Sequence, residues 1–235
     1  GRFQPVHKGH SYIIKQAFKH ARQLIIVIGS SFGSRTLRNS FTAAEREDMI
    51  LGILKDPEFS DISDIESKVH FVCIKDYIYD KGDKLWIEDA TNGVSDIASN
   101  IAGDNNKSVL LIGHEKDNTS YYLKNFPDWE YLECDNFEDI NSTDIRERFF
   151  AGDLSLDKNM DKSLNNSGYL KSLKVCHEST LTWLKGFQAG EIFARLHKEY
   201  VSMKDYKKLW SGSPFAPIFV TCDALVIYGD SLLLI

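Results

Sequence analysis

Short runs of consecutive apolar residues recur through the first half of the chain and predict buried strands. The clearest are QLIIVIGSS (23–31), KVHFVCI (68–74) and KSVLLIG (107–113), and EYLEC (130–134) is a weaker fourth. These runs are short and lack the apolar–polar alternation of a half-exposed strand, which is typical of strands covered on both faces. The pattern therefore predicts the strands of a parallel sheet.

Between these runs, apolar residues recur at intervals of three and four, the spacing of an amphipathic helix. The segments with this spacing are 9–22, 42–54, 83–102 and 142–152. The second begins with Thr42 and carries Glu45 three residues later, the arrangement of a capping box. Helices that alternate with buried strands predict an α/β fold with a doubly wound parallel sheet.

The pattern changes after residue 152. The stretch 153–168 is rich in Asn, Asp and Ser and predicts a surface loop, whereas 178–210 predicts one or two amphipathic helices with a break at Gly190. SGSPFAP (211–217) has the composition of a linker, and the apolar runs of 218–235, separated by Gly-Asp, predict a β-hairpin. A lone hairpin is marginal in water, so we expect it to begin a second domain.

These observations predict three parts. Residues 1–175 form an α/β domain, residues 176–217 form a helical connector and linker, and residues 218–235 are the first strands of another domain.

Composition excludes several classes of protein. The 235 residues carry a net charge of −6, which disfavours a nucleic-acid-binding domain. The four cysteines form no C-x-x-C pair, so the sequence indicates neither a zinc ribbon nor a redox dithiol. No apolar stretch approaches the roughly 20 residues of a membrane helix. We therefore expect a cytoplasmic protein that binds no membrane, and the sequence leaves a homo-oligomer open.

The chain opens with GRFQPVHKGH, which concentrates chemistry suited to a phosphate group. His7 and His10 share a face at the start of a predicted helix, where the helix dipole and the first N–H groups favour an anion. Gly9 permits close approach to the backbone, and Arg2 and Lys8 add positive charge. Two alternatives are a chance pair of surface histidines and a zinc pair, although no third metal ligand lies nearby in sequence.

The complete opening string resembles the signature of the nucleotidylyltransferase superfamily, whose shared core is H-x-G-H, and GRFQP narrows the resemblance to nicotinamide-nucleotide adenylyltransferases. The resemblance implies a Rossmann-like sheet of the nucleotidylyltransferase type. In that family the motif follows directly on the first, central strand. We therefore expect a strand upstream of Gly1.

A second stretch, INSTDIRERF (140–149), resembles the superfamily signature I-S-x-T-x-x-R. Ser142 and Thr143 stand at a predicted helix start with Arg146 one turn later, which suits phosphate oxygens. The resemblance implies that these residues grip the β- and γ-phosphates of ATP. Asn141 departs from the usual Ser. A capped helix followed by an unrelated arginine is the alternative.

Three further stretches resemble family segments. Residues 29–47 match N-P-F-T-x-x-E-R with Ser40 in place of Pro, which implies a phosphate-binding role for Arg46. Trp86 matches a Trp that stacks on the nicotinamide ring, as an indole face suits a pyridinium, although a core Trp fits equally. LIGHEKD (111–117) resembles the stretch that reaches the adenosine.

The resemblance implies that NMN and ATP give NAD and pyrophosphate, by in-line attack of the NMN phosphate on the α-phosphorus of ATP. Catalytic roles are implied for Arg2, His7, His10, Arg46 and Arg146. ATP binding is implied for Gly1, Phe3, Gly9, Gly113, His114, Asp117, Ser142 and Thr143. NMN binding is implied for Ser30, Asn39, Phe41 and Trp86. We expect Mg²⁺ to be held mainly by substrate phosphates, with no protein metal ligand.

Other readings stay open. The acceptor could be nicotinate mononucleotide, phosphopantetheine or FMN, the domain could be a silent NAD or NMN sensor, or the histidines could build a structural zinc module. The tail from 206 to 235 resembles the join to a Nudix pyrophosphohydrolase in two-domain proteins, which implies a second activity with no hydrolase residue in this sequence.

Overall fold

A computed structural model describes residues 1–77, 82–102, 108–114, 125–126, 128–151, 175–215, 227–228 and 231–232. The helices are α1 (Lys8–His20), α2 (Ala43–Ile53), α3 (Gly82–Ala102), α4 (Ser142–Phe150), α5 (Glu178–Gln188) and α6 (Glu191–Trp210). The strands are β1 (Leu24–Ile28), β2 (Val69–Cys73), β3 (Leu110–Gly113), β4 (Glu130–Glu133), β5 (Ile227–Tyr228) and β6 (Ser231–Leu232). Two short 3₁₀ helices cover Pro57–Phe59 and Ile65–Lys68.

The four strands predicted in the first domain form two parallel pairs. β1 pairs with β2, from Leu24 opposite Val69 to Ile28 opposite Cys73. β3 pairs with β4 over four residues each. The opening residue continues the first pair, since the Gly1 amine donates to the Val27 carbonyl (2.8 Å) and the Gly29 N–H donates to the Gly1 carbonyl (2.9 Å). The predicted parallel α/β fold is confirmed.

Helices cover both faces of the β1–β2 pair, as the continuous apolar runs indicate. Ile26 and Ile28 pack into a core cluster with the buried residues of α2, α4 and α5. Ile25 and Val27, which point to the other face, pack against a second cluster built on α3. This alternation places apolar side chains on both faces of one strand and explains why its sequence has no polar positions.

Local sequence signals set the helix boundaries. Thr42 and Glu45 form the predicted capping box, with the Thr42 N–H donating to Glu45 Oε2 (2.8 Å) and the Glu45 N–H to Thr42 Oγ1 (3.3 Å). The predicted break at Gly190 separates α5 from α6, and the Gly190 N–H closes the last turn of α5 on the Phe187 carbonyl (3.0 Å).

The chain divides into two compact units, Gly1–Tyr200 and Val201–Ile235. The first unit includes α5, which packs on the core: Leu184 is fully buried, and the Trp183 ring meets Phe41 edge-on at 5.5 Å. The second unit contains the antiparallel β5–β6 pair, at the place of the predicted hairpin. The predicted loop 153–168 lies outside the described residues.

Within the described ranges, none of the helices combines the length and the apolar character needed to span a membrane.

Two helix glycines give opposite stability predictions. A Cβ at Gly93 would lie 2.6 Å from Val72 Cγ1, a stiff buried side chain, whereas a Cβ at Gly186 meets no atom within 4 Å. We expect Gly93→Ala to lower the free energy of unfolding by about 1–2 kcal/mol, since overpacking outweighs the gain in helix propensity. We expect Gly186→Ala to raise it by about 0.5–1 kcal/mol.

Urea denaturation of the two variants beside the parent protein measures both changes. A Gly93→Ala protein as stable as the parent would show that α3 is not packed this closely against β2.

Candidate active site

A cavity of about 930 Å³ opens where the four parallel strands end. Each strand contributes residues that follow its carboxyl end: Ser30 after β1, Asp76 after β2, His114 after β3 and Asp135 after β4. The first turns of α1 and α4 complete the wall. Carboxyl ends of parallel strands are where open α/β sheets bind ligands, so this cavity is the candidate active site.

The two histidines of the opening motif form a capping box at the start of α1. His7 is the N-cap residue, and its Nδ1 accepts from the Gly9 N–H (3.2 Å). His10 Nδ1 accepts from the His7 N–H (3.2 Å), and the two rings lie 3.8 Å apart. A ring nitrogen that accepts a hydrogen bond carries no proton, so each imidazole bears its proton on Nε2.

The surroundings of His10 keep this ring neutral. Burial lowers the pKa of His10 well below 6.5, and the neighbouring His7 lowers it further. Phe3 covers the ring at 4.6 Å from an unusual left-handed backbone conformation (φ 51°). A neutral imidazole with its proton on Nε2 is a hydrogen-bond donor at neutral pH, and both histidines line the cavity.

The first N–H groups of α1 are engaged within the protein. The Lys8 N–H donates to the Val175 carbonyl (2.8 Å), the Gly9 N–H to His7 Nδ1, and the His10 N–H to the His7 carbonyl (2.8 Å). The prediction that these groups face an anion is therefore wrong in this structure. The imidazole rings and the helix dipole remain for that task.

Arg46 does not reach the cavity, which corrects its predicted contact with substrate. Its side chain is 0% exposed. Nε donates to the Thr42 carbonyl (3.0 Å), Nη1 to the carbonyls of Arg2 (2.8 Å) and Gly29 (2.7 Å), and Nη2 to that of Ser30 (3.3 Å). Because all four hydrogen bonds go to backbone carbonyls, the role of this guanidinium is to hold the backbone of the site in place.

Arg146 is also anchored to backbone, but it lines the cavity. It donates to the carbonyls of Leu37 (3.0 Å), Ser142 (3.2 Å) and Gln4, and to Thr143 Oγ1 (3.3 Å). Burial, followed by repulsion from neighbouring arginines, lowers its pKa to about 10, so it stays charged at neutral pH. Ser142 and Thr143 line the cavity beside it, as predicted.

Asn141, the departure from the family signature, caps α4. Its side-chain oxygen accepts from the Asp144 N–H (2.9 Å), and Asn is as good an N-cap residue as Ser. The substitution therefore preserves the helix start that presents Ser142 and Thr143.

The cavity contains a cation that the sequence analysis missed. Arg38 lines it together with Arg2, and both side chains are exposed. Both also lie close enough to Arg146 to lower its pKa, so three arginines gather around one space. The available signal was the position of Arg38, one residue before Asn39 in the family-like segment.

Carboxylates line the cavity together with Trp86, the predicted nicotinamide contact. Trp86 lines it with Asp76 and Asp83, and Ser30 Oγ donates to Asp76 Oδ2 (2.6 Å). Ser30 itself has a left-handed backbone (φ 52°). Both predicted roles of the Trp86 side chain are compatible with its position, because it lines the cavity and also packs against the α3 cluster.

Asn39 and Phe41 are both hydrogen-bonded to Gln4, a residue that was not among the predicted site residues. Gln4, almost fully buried, donates to Asn39 Oδ1 (2.5 Å) and to the Phe41 carbonyl (2.7 Å), and accepts from the Phe41 N–H (2.9 Å). Asn39 lines the cavity. The Phe41 ring is 0% exposed in the core against α5, so its predicted contact with NMN is wrong.

Of the remaining residues predicted to bind ATP, some line the cavity and others do not. Gly1, Gly9 and His114 line the cavity, and His114 Nδ1 lies 3.1 Å from the Cys134 carbonyl. Gly113 is buried, outside the lining, and its carbonyl accepts from the Cys134 N–H (2.7 Å). Asp117 lies outside the described residues.

The donor set of the cavity suits a metal that is held through its substrate. Across the described parts of the chain, no three His, Cys, Asp or Glu side chains come together as a metal cage. A Mg²⁺ ion keeps several waters and commonly binds one or two carboxylates plus substrate phosphates. Among the described residues, Asp76, Asp83 and Asp135 are the carboxylates that line the cavity.

Comparison with known proteins identifies the family. The model of the cytidylyltransferase-like family matches residues 1–148. The chain belongs to this family.

Named relatives narrow the comparison. The chain is 34% identical over 201 residues to the nicotinamide/nicotinic acid mononucleotide adenylyltransferase of Acinetobacter baylyi, covering 85% of this chain and 90% of that protein. It is 52% identical over 56 residues to a nicotinamide-nucleotide adenylyltransferase of Saccharolobus solfataricus, which covers 24% of this chain and 33% of that protein.

One solved structure resembles the whole chain. It is a bifunctional NMN adenylyltransferase/ADP ribose pyrophosphatase from Francisella tularensis, complexed with AMP and a manganese ion, with 31% identity and a TM-score of 0.73. The similarity covers 99% of this chain, and the chain spans 60% of the length of that protein.

The neutral state of His10 predicts a pH dependence of stability. Between pH 6.5 and the lowered pKa of His10, the unfolded chain binds a proton there that the folded chain does not. The free energy of unfolding should therefore fall as pH drops below about 6.5, with up to about 1.4 kcal/mol per pH unit from this residue.

His10→Gln keeps a capping-box residue and removes the titration. We expect urea denaturation between pH 7.5 and 5.5 to give a flatter profile for this variant than for the parent. Parallel profiles would mean that the pKa of His10 is the same in the folded and the unfolded protein.

Proposed function

We propose that this chain transfers the adenylyl group of ATP to NMN, giving NAD and pyrophosphate. The observation that carries the proposal is the convergence of His7, His10, Arg2 and Arg146 on one cavity that also contains Trp86. The named relatives support it, because they are adenylyltransferases of nicotinamide or nicotinic acid mononucleotide.

The chemistry needs alignment and charge stabilisation. The 5′-phosphate of NMN attacks the α-phosphorus of ATP in line, the bond to the β-phosphate oxygen breaks, and pyrophosphate leaves. A phosphate oxyanion is already a nucleophile, so no covalent intermediate with the protein is required. Preorganised donors aimed at the oxygens that gain negative charge lower the barrier.

We assign these donors to particular residues. His7 and His10 donate from Nε2 to the α- and β-phosphate oxygens, with their Nδ1 atoms already held by backbone N–H groups. Arg146, with Ser142 and Thr143, holds the leaving pyrophosphate. Arg2 and Arg38 reduce the repulsion between the two anionic substrates.

A divalent cation belongs to this proposal. Mg²⁺, held by substrate phosphates, water and at most a few of the cavity carboxylates, would withdraw charge from the leaving group. The manganese ion in the Francisella structure supports a divalent metal in such proteins.

The carboxylates in the cavity lining favour a pyridine nucleotide as acceptor. The ring of NMN is a cation, which suits both the Trp86 face and the neighbouring Asp76 and Asp83 carboxylates. Phosphopantetheine and FMN have no cationic ring. Nicotinate mononucleotide has the ring but adds a carboxylate, and the dual name of the Acinetobacter relative keeps it as a second acceptor.

The test is an assay of the protein with ATP, Mg²⁺ and each acceptor in turn, which measures pyrophosphate and the dinucleotide. We expect NMN to give NAD. We expect His10→Ala to lower kcat by about 10²-fold or more with a modest change in KM, because one preorganised donor is lost. Nucleotide binding without pyrophosphate release would favour a silent sensor, and stoichiometric zinc would favour a structural metal module.

Arg38 gives a second test, because sequence resemblance did not assign it. We expect Arg38→Ala to lower kcat/KM by about 10- to 100-fold, the range for losing a charge-assisted hydrogen bond. Added salt should weaken the wild-type reaction more steeply than the variant reaction.

Arg195→Ala removes an exposed arginine of α6 outside the cavity lining and is the matched control. A kcat/KM of Arg38→Ala within twofold of the Arg195→Ala value would remove Arg38 from the substrate site.

A second activity is proposed for the whole protein. The resemblance of 206–235 to the join with a Nudix module, and the bifunctional name of the Francisella protein, support a pyrophosphohydrolase domain beside the transferase. Hydrolysis of ADP-ribose by the full-length protein tests it.

A further inference from the structure

A buried histidine outside the cavity connects three separate parts of the chain. His177, which precedes α5, is 7% exposed. Its Nδ1 lies 2.7 Å from Asp56 Oδ2 and its Nε2 lies 2.8 Å from Ser11 Oγ. Glu58 Oε1 is a more distant neighbour at 3.4 Å from Nε2. The site described above uses none of these groups.

Ser11 is the residue directly after His10, on the first turn of α1. Its hydroxyl lies 3.0 Å from the Lys8 carbonyl and donates either to that carbonyl or to His177 Nε2. In either arrangement, Asp56 fixes one ring nitrogen of His177 and Ser11 holds the other. A ring fixed at both nitrogens has one orientation, so it transmits the position of Asp56 to the first turn of α1.

These atoms have the connectivity of a Ser–His–Asp triad, but not its accessibility. Ser11 is 2% exposed and does not line the cavity, so no substrate carbonyl can approach its hydroxyl. The arrangement is therefore a support and not a second catalytic centre.

The segment that carries His177 touches the same turn through its backbone. The Lys8 N–H, the first of α1, donates to the Val175 carbonyl (2.8 Å), and Cys176 Sγ lies 3.9 Å from the Val6 carbonyl. Residues 175–177 thus hold the start of α1 from outside, while the capping box of His7 and His10 holds it from inside the cavity.

We propose that the Asp56–His177–Ser11 chain positions the His7 and His10 imidazoles for phosphate contact, so that His177 is a positioning residue for the reaction in the cavity. The proposal rests on the proposed adenylyl transfer. Small displacements matter in such sites, since a misplacement of about 1 Å can cost about 10²-fold in rate. Substrate binding, which also uses arginines on other elements, should be affected less.

The experiment measures kcat, KM for ATP and melting temperature for His177→Ala, Ser11→Ala and the double variant. We expect His177→Ala to lower kcat about tenfold with KM changed less than about threefold. Because both residues act through one link, the double variant should lose no more than His177→Ala alone. His177→Gln, which can still donate to Ser11, should recover part of kcat.

Leu184→Ala is the matched control for lost stability. Leu184 lies on α5, is fully buried in the main core and touches neither the cavity nor the hydrogen-bonded chain to Ser11. We expect it to lower the melting temperature at least as much as His177→Ala while kcat, measured well below both melting temperatures, stays at the wild-type value.

Nitrogen-15 NMR of the imidazoles provides a readout independent of turnover. We expect Nε2-protonated tautomers of His7 and His10 in the wild type and mixed tautomers in His177→Ala. An unchanged kcat in His177→Ala, or an equal loss in Leu184→Ala, overturns the proposal. If the wild type transfers no adenylyl group, the proposed function fails, and unchanged His7 and His10 spectra would then overturn the positioning role separately.

Discussion

A buried guanidinium must have its N–H groups paired, and this requirement connects the segments that surround the cavity. Arg46 and Arg146 meet it with backbone carbonyls. Arg46 ties the opening residues to the turn after β1, and Arg146 ties the same opening residues to the loop before α2 and to α4. Unpaired, either cation would carry a large desolvation penalty. Hydrogen bonds from these two arginines therefore hold together the segments that form the cavity.

The arginines divide their tasks according to burial. Arg46 holds backbone positions alone, Arg146 holds backbone positions and also lines the cavity, and the exposed Arg2 and Arg38 line the cavity as well. A protein with a net charge of −6 thereby gathers Arg2, Arg38 and Arg146 around one cavity, whose lining also contains Asp76 and Asp83. Charges of both signs suit a substrate pair that carries phosphates and a cationic ring.

Sequence patterns predicted the elements well because each depends on local signals. The apolar run of β1, the capping box of α2 and the break at Gly190 act within a few residues. Burial of individual site residues depends on contacts between distant segments, which periodicity does not encode. The motif around Arg46 thus suggested a substrate contact, whereas the carbonyls that surround it come from residues up to 44 positions away. For the same reason no pattern in the sequence indicates the bond between Ser11 and His177, which are 166 positions apart.

The hydrogen bonds that hold the loop between β1 and α2 affect how the specificity for the acceptor nucleotide could be changed. Arg46 and Arg146 grip this loop through main-chain oxygens of Gly29, Ser30 and Leu37, atoms that every amino acid possesses. Side chains on the loop can therefore be exchanged while its path over the cavity is retained. Ser34, which is exposed and lines the cavity, is a natural position to diversify in a library that seeks new nucleotide acceptors on an otherwise unchanged frame.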